Sequence, residues 1–286
     1  MAISESLGTQ REVTLPQGTI RYRESGTGET ILFVHGLIVN GDLWRKVVPA
    51  LSGRCRCIVP DWPLGSHEVP MEPDADLSPS GLAKLIDDFM RELDLRDVTV
   101  VSNDTGTALT QILATTHPER IGRLVLTSGD AFRNFPPYAF KPLVPLAAVP
   151  GFVTGLAAAL RPRSAQKALY GPLAKTLNEA EIFESYAGPA TSDAAVRRDL
   201  TKVLRAIRTS YTRKAAQRLP DFKKPVLLVW APDDIFFPDS HAKRLAELLP
   251  DARVEYVKDS RAFISEDQPE RLAELIGEFL EQKPAG

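Results

Sequence analysis

The chain has 286 residues, a net charge of −2 and an apolar fraction of 43%. That length fits one large domain or a core with an insertion, with ample chain to bury a core. The near-neutral balance gives no reason to expect a nucleic-acid partner.

The start, "MAISESLGTQR", lacks the apolar core of a signal peptide. "REVTLPQG" and "TIRYRESG" then read as a hairpin, and "ETILFVHG" as a strand buried on both faces that ends in glycine. Strand "CRCIVPDW" carries the only cysteines, Cys55 and Cys57. Two apart in a strand, they point to the same face and do not pair, which fits a reducing, cytoplasmic setting. "SPSGLAKLIDDFMRELDL" has helical periodicity, with Ser78 or Ser80 as its cap. "DVTVVSND", "GRLVLTSG", "KPVLLVWAPDD" and "ARVEYVKDS" repeat the strand form. Strands alternating with helices predict a mostly parallel sheet with helices on both faces.

One interval breaks the rhythm. From about Asp130 to Leu219 no strand pattern occurs; the stretch is helical and punctuated by proline. An insertion there would sit over the C-terminal ends of the strands, where open α/β sheets bind ligands. The expected organisation is a core of 1–130 and 220–286 with a helical cap of 131–219, in which Phe132, Phe135 and Tyr138 lie near the pocket mouth. The apolar stretch "LVPLAAVPGFVTGLAAALRP" is broken by Pro145 and Pro150. It reads as lining or packing surface and not as a membrane span.

The segment "VTVVSNDTGTALTQIL" reads strand, tight turn, helix, with Ser102-Asn103-Asp104-Thr105-Gly106 at the turn. Taken alone, it is also a capped helix start with Asp104 at the positive end of the macrodipole. The turn resembles the nucleophile elbow of the α/β-hydrolase fold, small-x-nucleophile-x-Gly, with Ser102 in the place of the usual first glycine. The resemblance extends over nearly the whole chain. "FVHGLIVNGDLW" is similar to the family's His-Gly turn, "LLVWAPDDIFFP" to its acid-bearing strand end, and "DSRAFISEDQPERLAELIGEFL" to its last loop and helix.

Esterases and lipases of this fold use serine at the elbow. Aspartate resembles the branch of haloalkane dehalogenases, fluoroacetate dehalogenases and epoxide hydrolases. The resemblance implies that the Asp104 carboxylate attacks a carbon and becomes an ester. A histidine then activates water, Asp234 orients that histidine, and the backbone N–H groups of Leu37 and Thr105 form an oxyanion hole. The details depart from each branch. Thr105 stands where haloalkane dehalogenases have tryptophan, and Leu37 where many have a halide-binding asparagine. Ile38 and Val39 stand where epoxide hydrolases carry proline. Tyr138, Tyr170, Tyr186 and Tyr211 lie in the interval of their lid tyrosines, where a tyrosine is also ordinary packing.

The largest departure is in the last loop. The family's Asp-Ser-Gly-His-Phe-Ile reads here Asp259-Ser260-Arg261-Ala262-Phe263-Ile264, so the histidine slot holds Ala262. His35 belongs to the His-Gly turn, His117 to the far side, and His241 to an exposed helix start. His67 lies on a loop that reads as surface or as approaching the pocket. Without the imidazole, Asp104 and Asp234 face a common gap, and one of them should be raised. Arg261 either swings in to neutralise them or points to solvent. His67, Arg261 and Asp130 are the auxiliary candidates. An engineered His-to-Ala change would leave glycine beside it, and Arg261 argues against that.

The expectation is therefore a hydrolase-family enzyme for a small, largely apolar molecule, with Asp104 as nucleophile or base. A cofactor-independent lyase, isomerase or cyclase on the same scaffold is the second reading, and a silent ligand-binding protein the third. No motif calls for a metal or an organic cofactor.

Overall fold

A computed structural model describes residues 5–282, the side chains of residues 180 and 181 excepted. Residues 1–4, part of the segment read above for a leader, lie outside the described residues.

The strands are β1 (Thr9–Leu15), β2 (Gly18–Ser25), β3 (Glu29–Val34), β4 (Cys55–Pro60), β5 (Val98–Asp104), β6 (Ile121–Gly129), β7 (Val226–Trp230) and β8 (Ala252–Tyr256). They form one sheet in the order β1-β2-β4-β3-β5-β6-β7-β8. The opening hairpin and the β2–β4 pair are antiparallel, and all other pairs are parallel. Residues 98–103 of β5 are buried, which is why that strand reads as an unbroken β-rich run.

The strand order reverses around β3. From β3 the chain moves outward to β4, and from β4 it crosses back to β5. Right-handed crossovers send those two connections over opposite faces of the sheet. A crevice therefore opens between the C-terminal ends of β3 and β5. The His35-Gly36-Leu37 turn and Asp104 both lie there.

The helix Pro79–Glu92 starts at Ser78, whose hydroxyl accepts from the Gly81 N–H at 3.1 Å. That serine, not Ser80, is the cap. It packs on the helix Thr105–Thr116, which follows the elbow.

Between β6 and β7 the described chain forms no strand. It runs through helices at Leu143–Leu146, Phe152–Ala159, Arg163–Tyr170, Glu179–Ser192, Ala194–Ala206 and Thr209–Arg218. This helical insert is fastened to the core by buried polar contacts. Asn40 donates to Ser185 Oγ at 3.0 Å, and Ser185 donates to Asp42 at 2.6 Å. Ser66 donates to the Tyr186 carbonyl at 2.6 Å. Buried Asp199 accepts from the Met71 N–H at 2.8 Å and lies 3.3 Å from His67 Nε2. Burial works against that charge, but His67, Met71 and Arg198 together hold the Asp199 carboxyl below the usual carboxylate range.

His67 thus corrects the surface-loop reading. It is buried, and its Nδ1 faces the Gly65 N–H at 3.4 Å while Nε2 meets Asp199. A buried carboxylate in the insert needs donors from the core, and His67 supplies one.

Candidate active site

At the end of β5 the backbone turns sharply. Asp104 adopts φ 56° and ψ −128°, a conformation costly for any residue with a Cβ. Two glycines make the turn sterically possible. A Cβ on Gly106 would lie 2.3 Å from the Val34 carbonyl oxygen, and one on Gly36 would lie 2.6 Å from Asp104 Cβ. The His-Gly turn and the elbow therefore touch. Ser102 stands in the first small position; it is buried and lies 3.3 Å from the Thr107 hydroxyl.

Asp104, Leu37 and Thr105 line one cavity of about 70 Å³. The rest of its wall is apolar and comes mainly from the insert, including Phe140, Leu143, Val144, Leu156 and Leu204. The expected mouth residues are placed differently. Pro136, Pro137 and Phe140 line the cavity, whereas Tyr138 is 73% exposed. Phe132 packs edge-on against His241, with its carbonyl held by Thr212. Phe135 is buried. Of the insert tyrosines, Tyr170 reaches the cavity wall, and its hydroxyl donates to the Ile38 carbonyl at 2.8 Å. Ile38 itself sits at φ 54°, with its N–H bonded to the Leu64 carbonyl at 2.9 Å. The loop after the His-Gly pair is thus held in an unfavourable backbone state from two sides.

Three carboxyl groups interact here. Burial pushes Asp104 up to about 6, opposed chiefly by the hydrogen bond from the Thr105 N–H. Burial likewise pushes Asp234 up to about 7; the Phe236 and Phe237 N–H groups oppose this, and the Asp104 charge adds to it. Asp130 is fully buried, and burial together with the Asp104 charge holds it well above the carboxylate range. Thr105 connects two of them. Its N–H donates to Asp104 Oδ1, and its hydroxyl donates to Asp130 Oδ2 at 3.2 Å. The Asp130 N–H also bonds to the Asp104 carbonyl at 3.1 Å. One oxygen each of Asp130 and Asp234 is buried without a hydrogen bond among the described residues. A protonated carboxyl suits such a place better than a charge does. Among the described residues no three His, Cys, Asp or Glu side chains converge as a metal-ligand set.

Ala262 is fully buried. Its carbonyl accepts from Asn103 Nδ2 at 2.7 Å, and the same amide meets Thr127 Oγ1 at 2.9 Å and the Ser128 carbonyl at 3.1 Å. The elbow residue beside Asp104 is therefore spent on tying the loop to β6. Arg261 does neither of the things expected of it. Its guanidinium donates to the Gly171 carbonyl of the insert at 3.1 Å. Next to it, the Phe263 N–H bonds to the Leu173 carbonyl at 2.8 Å. Asp267 completes the seam, accepting from the Lys175 and Thr176 N–H groups at 2.7 and 2.8 Å.

No hydrogen bond joins any of the four histidines to Asp104 or Asp234 among the described residues. His35 accepts from the Trp62 N–H on Nε2 at 2.8 Å, so its proton is on Nδ1, which donates to the Gly36 carbonyl at 2.9 Å. Burial drops it to about 4, and both nitrogens are engaged. His67 is bound to Asp199. His117 lies 3.8 Å from Asp87, beyond the far end of the elbow helix. His241 is half-buried against Phe132 and not exposed as expected; burial pushes its pKa down.

Residues 29–269 match the family model described as the alpha/beta hydrolase fold. The chain belongs to the α/β-hydrolase fold family. Among its relatives in that family is a haloalkane dehalogenase of Mesorhizobium japonicum, 28% identical over 258 residues that cover 88% of this chain and 76% of that protein. Haloalkane dehalogenase 2 of Mycobacterium tuberculosis is 28% identical over 278 residues, 91% of each chain. The crystal structure of the haloalkane dehalogenase DbeA from Bradyrhizobium elkani superposes with a TM-score of 0.78 at 23% identity, covering 95% of this α/β-hydrolase and 97% of that chain.

Sequence reasoning missed the bridging hydroxyl of Thr105, the Asn103–Ala262 bond and the pinning of Ile38 by Tyr170. Asn103 and Thr105 flank the elbow aspartate, and their hydrogen-bonding side chains were the available signal. Nothing local to Ile38 points to Tyr170.

Proposed function

We propose that the chain is a hydrolase-family enzyme acting on a small, largely apolar molecule, with the Asp104 carboxylate as its attacking group. The observation that carries this reading is Asp104 at a strained elbow, raised to about 6, in a partly open apolar cavity. At neutral pH such a group is mostly ionised, yet poorly solvated, and a poorly solvated carboxylate is a stronger nucleophile and base. The cavity, about 70 Å³, falls well below the roughly 300–1,000 Å³ of ordinary ligand pockets. That favours a substrate of a few heavy atoms. Similarity to haloalkane dehalogenases makes displacement at an sp3 carbon the first reaction to test. The Asp104 oxygen bonds to carbon, the leaving group departs with the bonding electrons, and an alkyl ester remains. The N–H groups of Leu37 and Thr105 are the proposed donors to its carbonyl oxygen when water attacks.

Water attack needs a base, and Ala262 supplies none. The three-carboxyl cluster favours a second reading: proton transfer without hydrolysis. Ionised Asp104 would take a proton from one carbon and return it to another, while Asp130 and Asp234, which do not line the cavity, set its charge from beside it.

Rapid mixing with 1,2-dibromoethane, followed by intact-mass measurement, separates these readings. The alkylation reading expects about one bromide released per protein and an adduct on the peptide holding Asp104. Turnover of a small carbon acid with no adduct supports proton transfer. Neither product with a panel of small haloalkanes, epoxides and carbon acids would overturn both.

A further inference from the structure

No Asp or Glu lies between Asp130 and Glu179, an interval that carries Arg133, Lys141, Arg161, Arg163, Lys167 and Lys175. This is unusual in a chain whose net charge is −2. Inside it, from Pro142 to Leu160, every side chain is uncharged, and Thr154 alone is polar. The stretch is not buried in proportion. Leu146 is 41% exposed and Val149 53%, and Pro145, Ala148, Pro150 and Ala158 are exposed beside them. Its other side lines the Asp104 cavity through Leu143, Val144 and Leu156. Lys141 stands at one end, its ammonium 3.5 Å above the Tyr138 ring, and exposed Arg161 and Arg163 stand at the other.

We infer that this face of the insert docks on an anionic lipid bilayer surface. An exposed apolar patch with Lys141 at one end and Arg161 and Arg163 at the other matches the interface between acyl chains and anionic headgroups. Glu68, Glu184 and Asp193 do line the same cleft as the two arginines, and Lys167 and Lys175 are paired with Glu179 and Asp233. No described helix is long and apolar enough to cross a membrane, so the segment lies on the surface. A second copy of the chain is the poorer partner. A two-fold contact would set the same cations against one another. A protein partner would find almost no hydrogen-bonding side chain from 142 to 160 to fix its orientation, and the prolines at 142, 145 and 150 lack backbone N–H groups. The same segment separates the cavity from the docked face, so an apolar substrate dissolved in the bilayer meets the site's own wall. That last point rests on the function proposed above, whereas the docking does not.

Flotation with phosphatidylcholine vesicles, and with vesicles also containing phosphatidylglycerol, tests it. The full chain should float with the mixed vesicles and weakly with the neutral ones. Leu146→Glu with Val149→Glu should abolish flotation. Arg161→Glu with Arg163→Glu should weaken it by at least about tenfold, since each headgroup-facing cation is worth about fivefold. These are exposed positions, and an unchanged thermal melt checks that the variants fold. Asp104→Asn should float like the parent, which keeps this test apart from the chemistry of the site. No flotation with either vesicle, or equal flotation with both, overturns the inference. So does a sedimenting dimer that Leu146→Glu with Val149→Glu converts to monomer.

Discussion

At the end of β5 the chain turns on Asp104 at φ 56°, and in the loop after β8 it turns on Asp259 at φ 57°. Both loops are built to hold a shape. The elbow is held by glycines that admit close backbone approach at Gly36 and Gly106. The β8 loop is held from outside, by Asn103 on the Ala262 carbonyl and by the seam that Arg261, Phe263 and Asp267 make with residues 171–176 of the insert. The elbow presents a carboxyl group to a cavity, whereas the loop presents a methyl group to the interior. Backbone register and chemical equipment are thus separable. The β8 loop holds a defined shape, and its hydrogen bonds are directed toward the insert and the elbow.

The largest effect should come from the elbow. Asp104→Asn should lower whatever turnover or alkylation the protein shows by about 10³-fold or more, measured by product release and intact mass. The loop gives the next. Arg261→Gly with Ala262→His should add ester hydrolysis of at least about 10²-fold on a substrate that alkylates Asp104, the usual worth of a general base. If a crystal structure of that variant shows the imidazole out of hydrogen-bonding reach of Asp104, Asp130 and Asp234, the assignment of the histidine slot to Ala262 is wrong. Asp267→Ala should open the seam and destabilise the fold by about 1–3 kcal/mol, read from urea denaturation. An unchanged midpoint would show that the insert does not depend on the loop.

The smallest effect concerns pH. Asp104, Asp130 and Asp234 all stand above their ordinary value of 3.8, so the folded protein holds protons that the unfolded chain releases. Stability from these groups is complete below about pH 4 and declines as pH rises through about 6 and 7. Asp130→Asn removes one of them and should flatten that decline, gaining about 2–4 °C in Tm at pH 8 relative to pH 5. A variant whose Tm tracks the parent at both pH values would place Asp130 outside the shared protonation.

The fold was legible because its signals are local. Apolar runs ending in glycine, helical periodicity and the elbow pattern each occupy a few neighbouring residues. Asp104 is marked by the elbow pattern, and Leu37 and Thr105 by the family resemblance alone; the three line one cavity. What remained hidden depends on distant partners. His67 meets Asp199 and Ile38 meets Tyr170 across 132 residues each, and Arg261 meets Gly171 across 90. An isolated basic or aromatic side chain carries no mark of its partner, so solvent was the default expectation for His67 and for Arg261. The cavity wall lies a few positions from where the sequence places it. Proline fixes the backbone but does not say which neighbouring aromatic turns inward, and it was Phe140 and not Phe132, Phe135 or Tyr138.

The central claim is that Asp104 reacts as a poorly solvated carboxylate without help from an imidazole. The pH dependence of its alkylation rate tests this most directly, followed by intact mass with a small haloalkane in excess. The rate should rise through a single inflection at about 6 and then level off, following the Asp104 titration. A rate independent of pH between 5 and 8, or an adduct that persists in Asp104→Asn, would contradict it.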